Sequence, residues 1–192
     1  MKTIPNYVKF NRSKPGHLQV GMQAPDCEIY TLDGVPVNLL AHKVPGRPLV
    51  IAAGSITWPP FRAFCNRLQI IFANFKDRAD FVLVYISEAH AKDEWPVGDP
   101  VKIDQPKVLS ERLKIANGFR DFFDFPEDFN IVVDDPASNH FDNLYSCWPT
   151  RFYGVNDDNV IGYKAEPDNT HQYDIEEVKD FLETAVGYEY DA

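Results

Sequence analysis

Ser55, Thr57, Glu88 and His90 bring the groups in this chain best suited to handling protons and anions. Ser55 and Thr57 lie in Gly54-Ser55-Ile56-Thr57-Trp58-Pro59-Pro60-Phe61, which follows an apolar run and opens an amphipathic segment. The start of a helix at such a junction presents backbone N–H groups and a partial positive charge, which favours an anion there. Both hydroxyls are expected to donate to an anion at position 58. Position 58 is a tryptophan, and an indole cannot be that anion. His90 follows the apolar run 80–86 and is expected at the end of a buried strand, as an acid facing the same junction. Glu88 precedes it by two residues, on the same face of an extended strand, and is expected to orient the imidazole or lend it charge. Cys147 directly precedes Trp148-Pro149. It has two readings, a resolving thiol close to position 58 or a structural cysteine at a helix end. Cys65 lies about two helical turns beyond Trp58 on the apolar register, so core packing is its expected role.

These residues need elements to hold them. Residues 1–20 are polar, with Pro5 and Pro15, and read as an extended arm; residues 21–192 read as one domain. Residues 26–40 read as a hairpin turning at Asp33-Gly34. Residues 48–53 are continuously apolar, as in a strand buried on both faces. A helix is predicted from about 59 to 76, with Phe61, Phe64, Cys65, Leu68, Ile71, Phe72 and Phe75 on its apolar face. With the strand over 80–86 it completes a right-handed βαβ unit. A Pro- and Asp-rich loop covers 92–106, and a weaker helix covers 107–123. A short strand over 129–133 and a short helix over 139–145 follow. A hairpin then turns at 156–159, and a closing helix is capped by Asp174 with Glu177 three residues on.

The bulk composition restricts function. The chain has 192 residues, 44% hydrophobic and 25% charged, enough for one sizeable core. Its net charge of −10, with no basic stripe, argues against nucleic acid and anionic membrane as partners. No apolar run reaches the ~18 residues of a membrane span, and residues 1–7 have no secretory hydrophobic region. The expectation is a cytoplasmic protein. Cys27, Cys65 and Cys147 form no CxxC and no metal spacing, so no metal is expected and buried packing is the simplest role for them. His140 and His171 stand alone and receive no ligand role.

Two segments carry a specific resemblance. Gly-Ser-x-Thr-x-Pro-Pro-Phe at 54–61 resembles the selenocysteine motif of the iodothyronine deiodinases, with Trp58 on the selenocysteine. Tyr85-Ile86-Ser87-Glu88-Ala89-His90, followed by Asp93-Glu94-Trp95, is similar to a second segment of that family. Gly162-Tyr163, Pro167-Asp168 and Tyr173 resemble its C-terminal region. The resemblance spans roughly residues 25–186. It implies an α/β, thioredoxin-like fold with an N-terminal β-hairpin extension of the peroxiredoxin-like kind. It also implies a cis-proline at Pro149 facing the nucleophile. Ser55, Thr57, Trp58, Tyr85, Glu88 and His90 then match catalytic positions, and Phe61, Trp148 and Pro149 the substrate-binding surroundings. The chain departs from the family pattern at Trp58, at Ile56 where a cysteine is frequent, and at Ser87 where a glutamate stands.

The implied activity is reductive removal of iodine from an aromatic, iodothyronine-like substrate. An external thiol serves as reductant, no bound cofactor is needed, and a homodimer is expected. Such chemistry needs a soft nucleophile for the iodine and an acid for the carbon it leaves. Trp58 supplies no nucleophile, so the Trp58 form is expected to be inactive. Three readings of Trp58 stay open: a redox-dead relative, an aromatic platform for a ligand, or a UGA selenocysteine codon read as tryptophan. Two other functions compete, a binding module for a small aromatic ligand and a peroxiredoxin-like peroxidase. The missing thiol counts against the peroxidase equally, and the Glu88/His90 pair favours the deiodinase over it.

Overall fold

The computed structural model describes residues 4–168 and 172–187. His171 lies outside the described residues.

The arm is not extended throughout. Asn6–Phe10 forms a short helix, α1, that buries no residue. Leu18 is the first side chain of the arm to enter the core. The hairpin pairs β1 (Glu28–Thr31) with β2 (Pro36–Asn38). Gly34 turns between them at φ 80°, a region glycine enters without steric penalty. β2 ends at Asn38, short of the predicted Leu40, because the chain winds into a 3-10 turn over Leu39–His42.

β3 (Leu49–Gly54) is buried at every position and leads through Trp58 into α2 (Pro59–Phe75). Pro59 and Pro60 occupy the first turn, where the missing N–H groups break no intrahelical bond. β4 (Asp80–Tyr85) runs parallel to β3, with Gly54 opposite Tyr85 at the end of the ladder. α3 (Leu109–Phe123), β5 (Asn130–Val133) and α4 (His140–Tyr145) come next. β6 (Arg151–Val155), β7 (Ile161–Lys164) and α5 (Glu176–Val186) close the fold. The N-cap of α5 is Ile175, one residue past the expected Asp174, whose carboxylate accepts from Glu176 N at 2.9 Å. The predicted capping box is not completed, because Glu177 accepts from the Tyr163 hydroxyl instead.

Among the described residues one mixed sheet has the order β2-β1-β5-β4-β3-β6-β7. β3, β4 and β5 are parallel, and the flanking strands are antiparallel. Side-chain alternation along β3 splits the core in two. Val50 and Ala52 face a cluster with α2, α3 and α5. Leu49, Ile51 and Ala53 face a second, with Leu18, Leu39 and α4. Trp58 packs against both clusters, at the sheet end from which β3 and β4 emerge. Ligand sites in α/β sheets form beyond such carboxyl ends. Among the described residues, no helix is long and apolar enough to cross a membrane.

Candidate active site

Parallel pairing of β3 and β4 releases residues 55–58 and 86–90 side by side. Ile86 N still reaches Gly54 O at 3.2 Å, and beyond that point side chains replace the ladder. Thr57 Oγ1 accepts from Ala89 N at 3.1 Å and His90 N at 3.3 Å. Ser55 Oγ also accepts from Ala89 N, at 3.3 Å.

Glu88 is 1% exposed and sits at the centre of this region. Its Oε2 accepts from the Thr57 hydroxyl at 2.5 Å and from Thr57 N at 3.2 Å. Its Oε1 accepts from the Tyr85 hydroxyl at 2.6 Å, which itself accepts from Ile56 N at 3.1 Å. Burial pushes the Glu88 carboxyl above its ordinary range, and the Thr57 and Tyr85 hydrogen bonds oppose that push. Burial, followed by the neighbouring Glu88 charge, raises the Tyr85 phenol well above its usual value. The Glu88 backbone is held by Gln105, which accepts from Glu88 N at 2.9 Å and donates to Glu88 O at 3.0 Å.

His90 is placed differently from the sequence expectation. β4 ends at Tyr85, so Glu88 and His90 share no strand face. Glu88 serves Thr57 and Tyr85, and the imidazole is oriented by a carbonyl: Nδ1 lies 3.0 Å from Trp95 O. A carbonyl only accepts, so Nδ1 carries the hydrogen and a neutral ring leaves Nε2 as an acceptor. Burial lowers the His90 pKa, while the Trp95 carbonyl and the Asp99 charge oppose the shift. The ring lies 5.3 Å from the Trp58 ring and 4.9 Å from that of Trp95. It lines a small cleft of about 260 Å³ with Pro96, Gly98 and Asp99. Arg62 pins the cleft's rim, donating to Ile56 O at 2.5 Å and pairing with Asp99.

Other expected site residues lie elsewhere. Phe61 is fully buried beneath Gly54 and stacks on Phe119 at 5.9 Å, so it faces the core and not a substrate. Trp148 is 5% exposed, and its indole N–H reaches Glu88 O at 3.5 Å, a scaffolding contact. The Trp148–Pro149 bond is cis, as the resemblance implied, and Pro149 keeps part of its surface open. Cys147 is fully buried in the second cluster, and burial first, then Asp142, raises its thiol well above the ordinary value. A thiol so protonated and enclosed is a poor resolving nucleophile, and its structural reading fits the geometry. Cys27 and Cys65 are also free and buried, both pushed up to about 12 chiefly by burial.

Helix donors at position 58 are sparser than the junction suggested, because Pro59 and Pro60 bring no N–H. Trp58 N is already bonded to Ser55 O at 3.2 Å. The Trp58 indole N–H is buried and has no hydrogen-bond partner among the described residues. Sequence reasoning gave no role to Gln105, Arg62 or the Trp95 carbonyl. Gln105 and Trp95 belong to or border an irregular loop, where no periodicity marks a functional side chain. The charge of Arg62 on the first turn of α2 was the one readable signal.

Comparison with known proteins places this geometry in context. The family model described as iodothyronine deiodinase matches residues 8–186. Thyroxine 5-deiodinase of Gallus gallus is 32% identical over 163 residues, covering 84% of this chain and 61% of that protein. Type I iodothyronine deiodinase of Xenopus laevis is 32% identical over 155 residues, covering 77% and 60%. The chain thus spans about three fifths of the length of these curated relatives. A peroxiredoxin-like protein from Aquifex aeolicus superposes with a TM-score of 0.61 at 13% identity, covering 91% of each chain. A thioredoxin-family thiol:disulfide interchange protein from Chlorobium tepidum gives 0.56 at 9% identity, covering 90% and 100%. At such identities the likeness shows the fold alone, an α/β thioredoxin- and peroxiredoxin-like one.

Proposed function

The chain belongs to the iodothyronine deiodinase family, and from that premise we propose that its site is built for reductive removal of iodine from an aromatic substrate, with position 58 as the place of the nucleophile. The carrying observation is that Glu88, held by the Tyr85 hydroxyl, is bonded to both the backbone N–H and the hydroxyl of Thr57, the residue before Trp58. A selenolate or thiolate at position 58 would attack the iodine. The aryl–iodine bond breaks, its electron pair goes to the ring carbon, and that carbon takes a proton. One external thiol then displaces iodide from the selenium or sulfur, and a second regenerates the enzyme, leaving a disulfide.

The protonation step suits Glu88 better than His90. Glu88 has a carboxyl raised by burial and is bonded to the Thr57 hydroxyl beside position 58. His90, neutral and with Nε2 free to accept, fits the role of binding a substrate hydroxyl. The indole of Trp58 has no anionic form, and leaving its N–H buried without a partner costs about 1–3 kcal/mol. Both facts support a smaller, ionisable residue at position 58, selenocysteine from a UGA codon or cysteine, in an active form. A homodimer belongs to the same reading, carried by the resemblance.

The test is iodide release from an iodothyronine in the presence of dithiothreitol. The Trp58 chain is expected to show no turnover and Trp58→Cys to gain it. Equal rates from the two would overturn the reading. Ligand binding without any gain in Trp58→Cys would favour the binding module.

A further inference from the structure

β4 ends at Tyr85, so the buried Glu88 peptide has no strand ladder to satisfy it. One primary amide meets both of its groups. Gln105 Oε1 accepts from Glu88 N at 2.9 Å, and Gln105 Nε2 donates to Glu88 O at 3.0 Å. These are the two bonds that a residue of an adjacent strand exchanges with its opposite number. The amide's direction is fixed by what it faces. Nε2 also donates to Glu94 Oε2 at 3.1 Å. A carbonyl and a carboxylate only accept, so the amide nitrogen points at them and Oε1 at Glu88 N. The Gln105 main chain is anchored in turn, its N–H donating to Asp93 Oδ1 at 2.8 Å. The reach of this side chain therefore sets where the Glu88 peptide stands.

On its other side the same segment meets Thr57, which accepts from Ala89 N and His90 N and donates to the Glu88 carboxyl. Among the described residues, no hydrogen bond joins Gln105 to Thr57 directly; Glu88 lies between them. The loop that carries Gln105 has ties of its own. Lys92 N donates to Ile103 O at 2.8 Å, and Asp99 accepts from Val101 N and pairs with Arg62.

We propose that Gln105 is a positioning residue: it holds the Glu88 peptide in the register that brings the carboxyl to the Thr57 hydroxyl, beside position 58. The proposal rests on the reading of Glu88 as the group that serves position 58. Gln105 acts through Glu88 and not on the reacting atoms.

A double-mutant cycle in the Trp58 chain separates positioning from plain scaffolding. Thr57→Val removes the hydroxyl that Glu88 binds, and Gln105→Met fills similar space without the amide. Thr57→Val should lower the urea midpoint, and lower it about half as much or less once Gln105→Met is present, because the Glu88–Thr57 bond is then already loosened. Scaffolding alone predicts additive losses, and additive losses would overturn the proposal. Gln105→Glu, isosteric and still an acceptor for Glu88 N, gives the same comparison should Gln105→Met not fold. In the Trp58→Cys background, Gln105→Met should lower kcat for iodide release roughly tenfold and leave KM within about twofold, a split that a change in substrate binding would not give. An unchanged kcat would equally count against Gln105. No release from Trp58→Cys itself would overturn the position-58 chemistry instead, and the stability cycle then decides the role of Gln105 by itself.

Discussion

Glu88 shows how one buried side chain organises a site. A carboxylate stripped of water is unfavourable unless its oxygens are satisfied, and here three donors from Thr57 and Tyr85 satisfy them. Desolvation still dominates and holds the folded pKa above the unfolded one. The native state therefore binds this proton more tightly. Stability from the protonated form is fully present below the ordinary carboxylate pKa and is lost as pH rises through the raised value. Glu88→Gln removes that titration. Urea unfolding from about pH 4 to about pH 8 should show the wild-type chain losing stability relative to Glu88→Gln as pH rises. Parallel profiles for the two would refute the desolvated carboxyl.

At the scale of elements, the site depends on how closely α2 approaches the end of β3. Gly54 permits that approach, since a Cβ there would fall 2.5 Å from the Phe61 ring. Phe61 in turn stacks on Phe119 of α3, which meets the Tyr85 ring at 5.5 Å. Strand end, first turn of α2 and α3 thus lock one another through aromatic contacts. Gly54→Ala should displace the start of α2 and destabilise the fold by about 1–3 kcal/mol, the usual range for overpacking. The urea midpoint reads this directly, and a midpoint equal to wild type would show that the helix start is not held there. Iodide release by Trp58→Cys should fall when Gly54→Ala is added, because position 58 is the residue most directly moved.

At the scale of the whole molecule, the N-terminal arm is held by buried cations of β6 and β7. Arg151 donates to Pro15 O at 2.7 Å and to Lys14 O at 3.1 Å, and Lys164 donates to Pro15 O at 2.8 Å. The Lys164 side chain is 2% exposed and pairs with Glu166 at the surface. Gly16, at φ 74°, then passes against Ser146, immediately before the Cys147–Pro149 turn. The arm therefore buttresses the loop that carries the cis-proline. Lys164→Met would leave Pro15 O short of a donor and Glu166 without this partner, at a cost of about 1–3 kcal/mol. Limited proteolysis should then cleave near residue 15 faster than in wild type. Unchanged cleavage and an unchanged melting temperature would show that the arm is held by other contacts.

The elements were largely legible because their signals are local. The continuous apolar run before Gly54, the 3.6-residue stripe from Phe61 to Phe75 and the turn at 156–159 each follow from burial or backbone geometry over a few residues. The motifs around Trp58 and His90 were equally readable, and the family match bears out the resemblance they carried. Side-chain partnerships were not legible, because they join positions distant in sequence. Glu88 had to choose between His90 two residues away and Thr57 thirty-one away, and parallel strand pairing decided for Thr57. Phe61 and Cys147 carry residue types that suit a site, yet the folded core encloses both. The sequence by itself determined which groups could do chemistry and which elements would carry them. Tertiary structure alone decided which of those groups meet, since desolvation and hydrogen-bond satisfaction are settled only once the strands lie side by side.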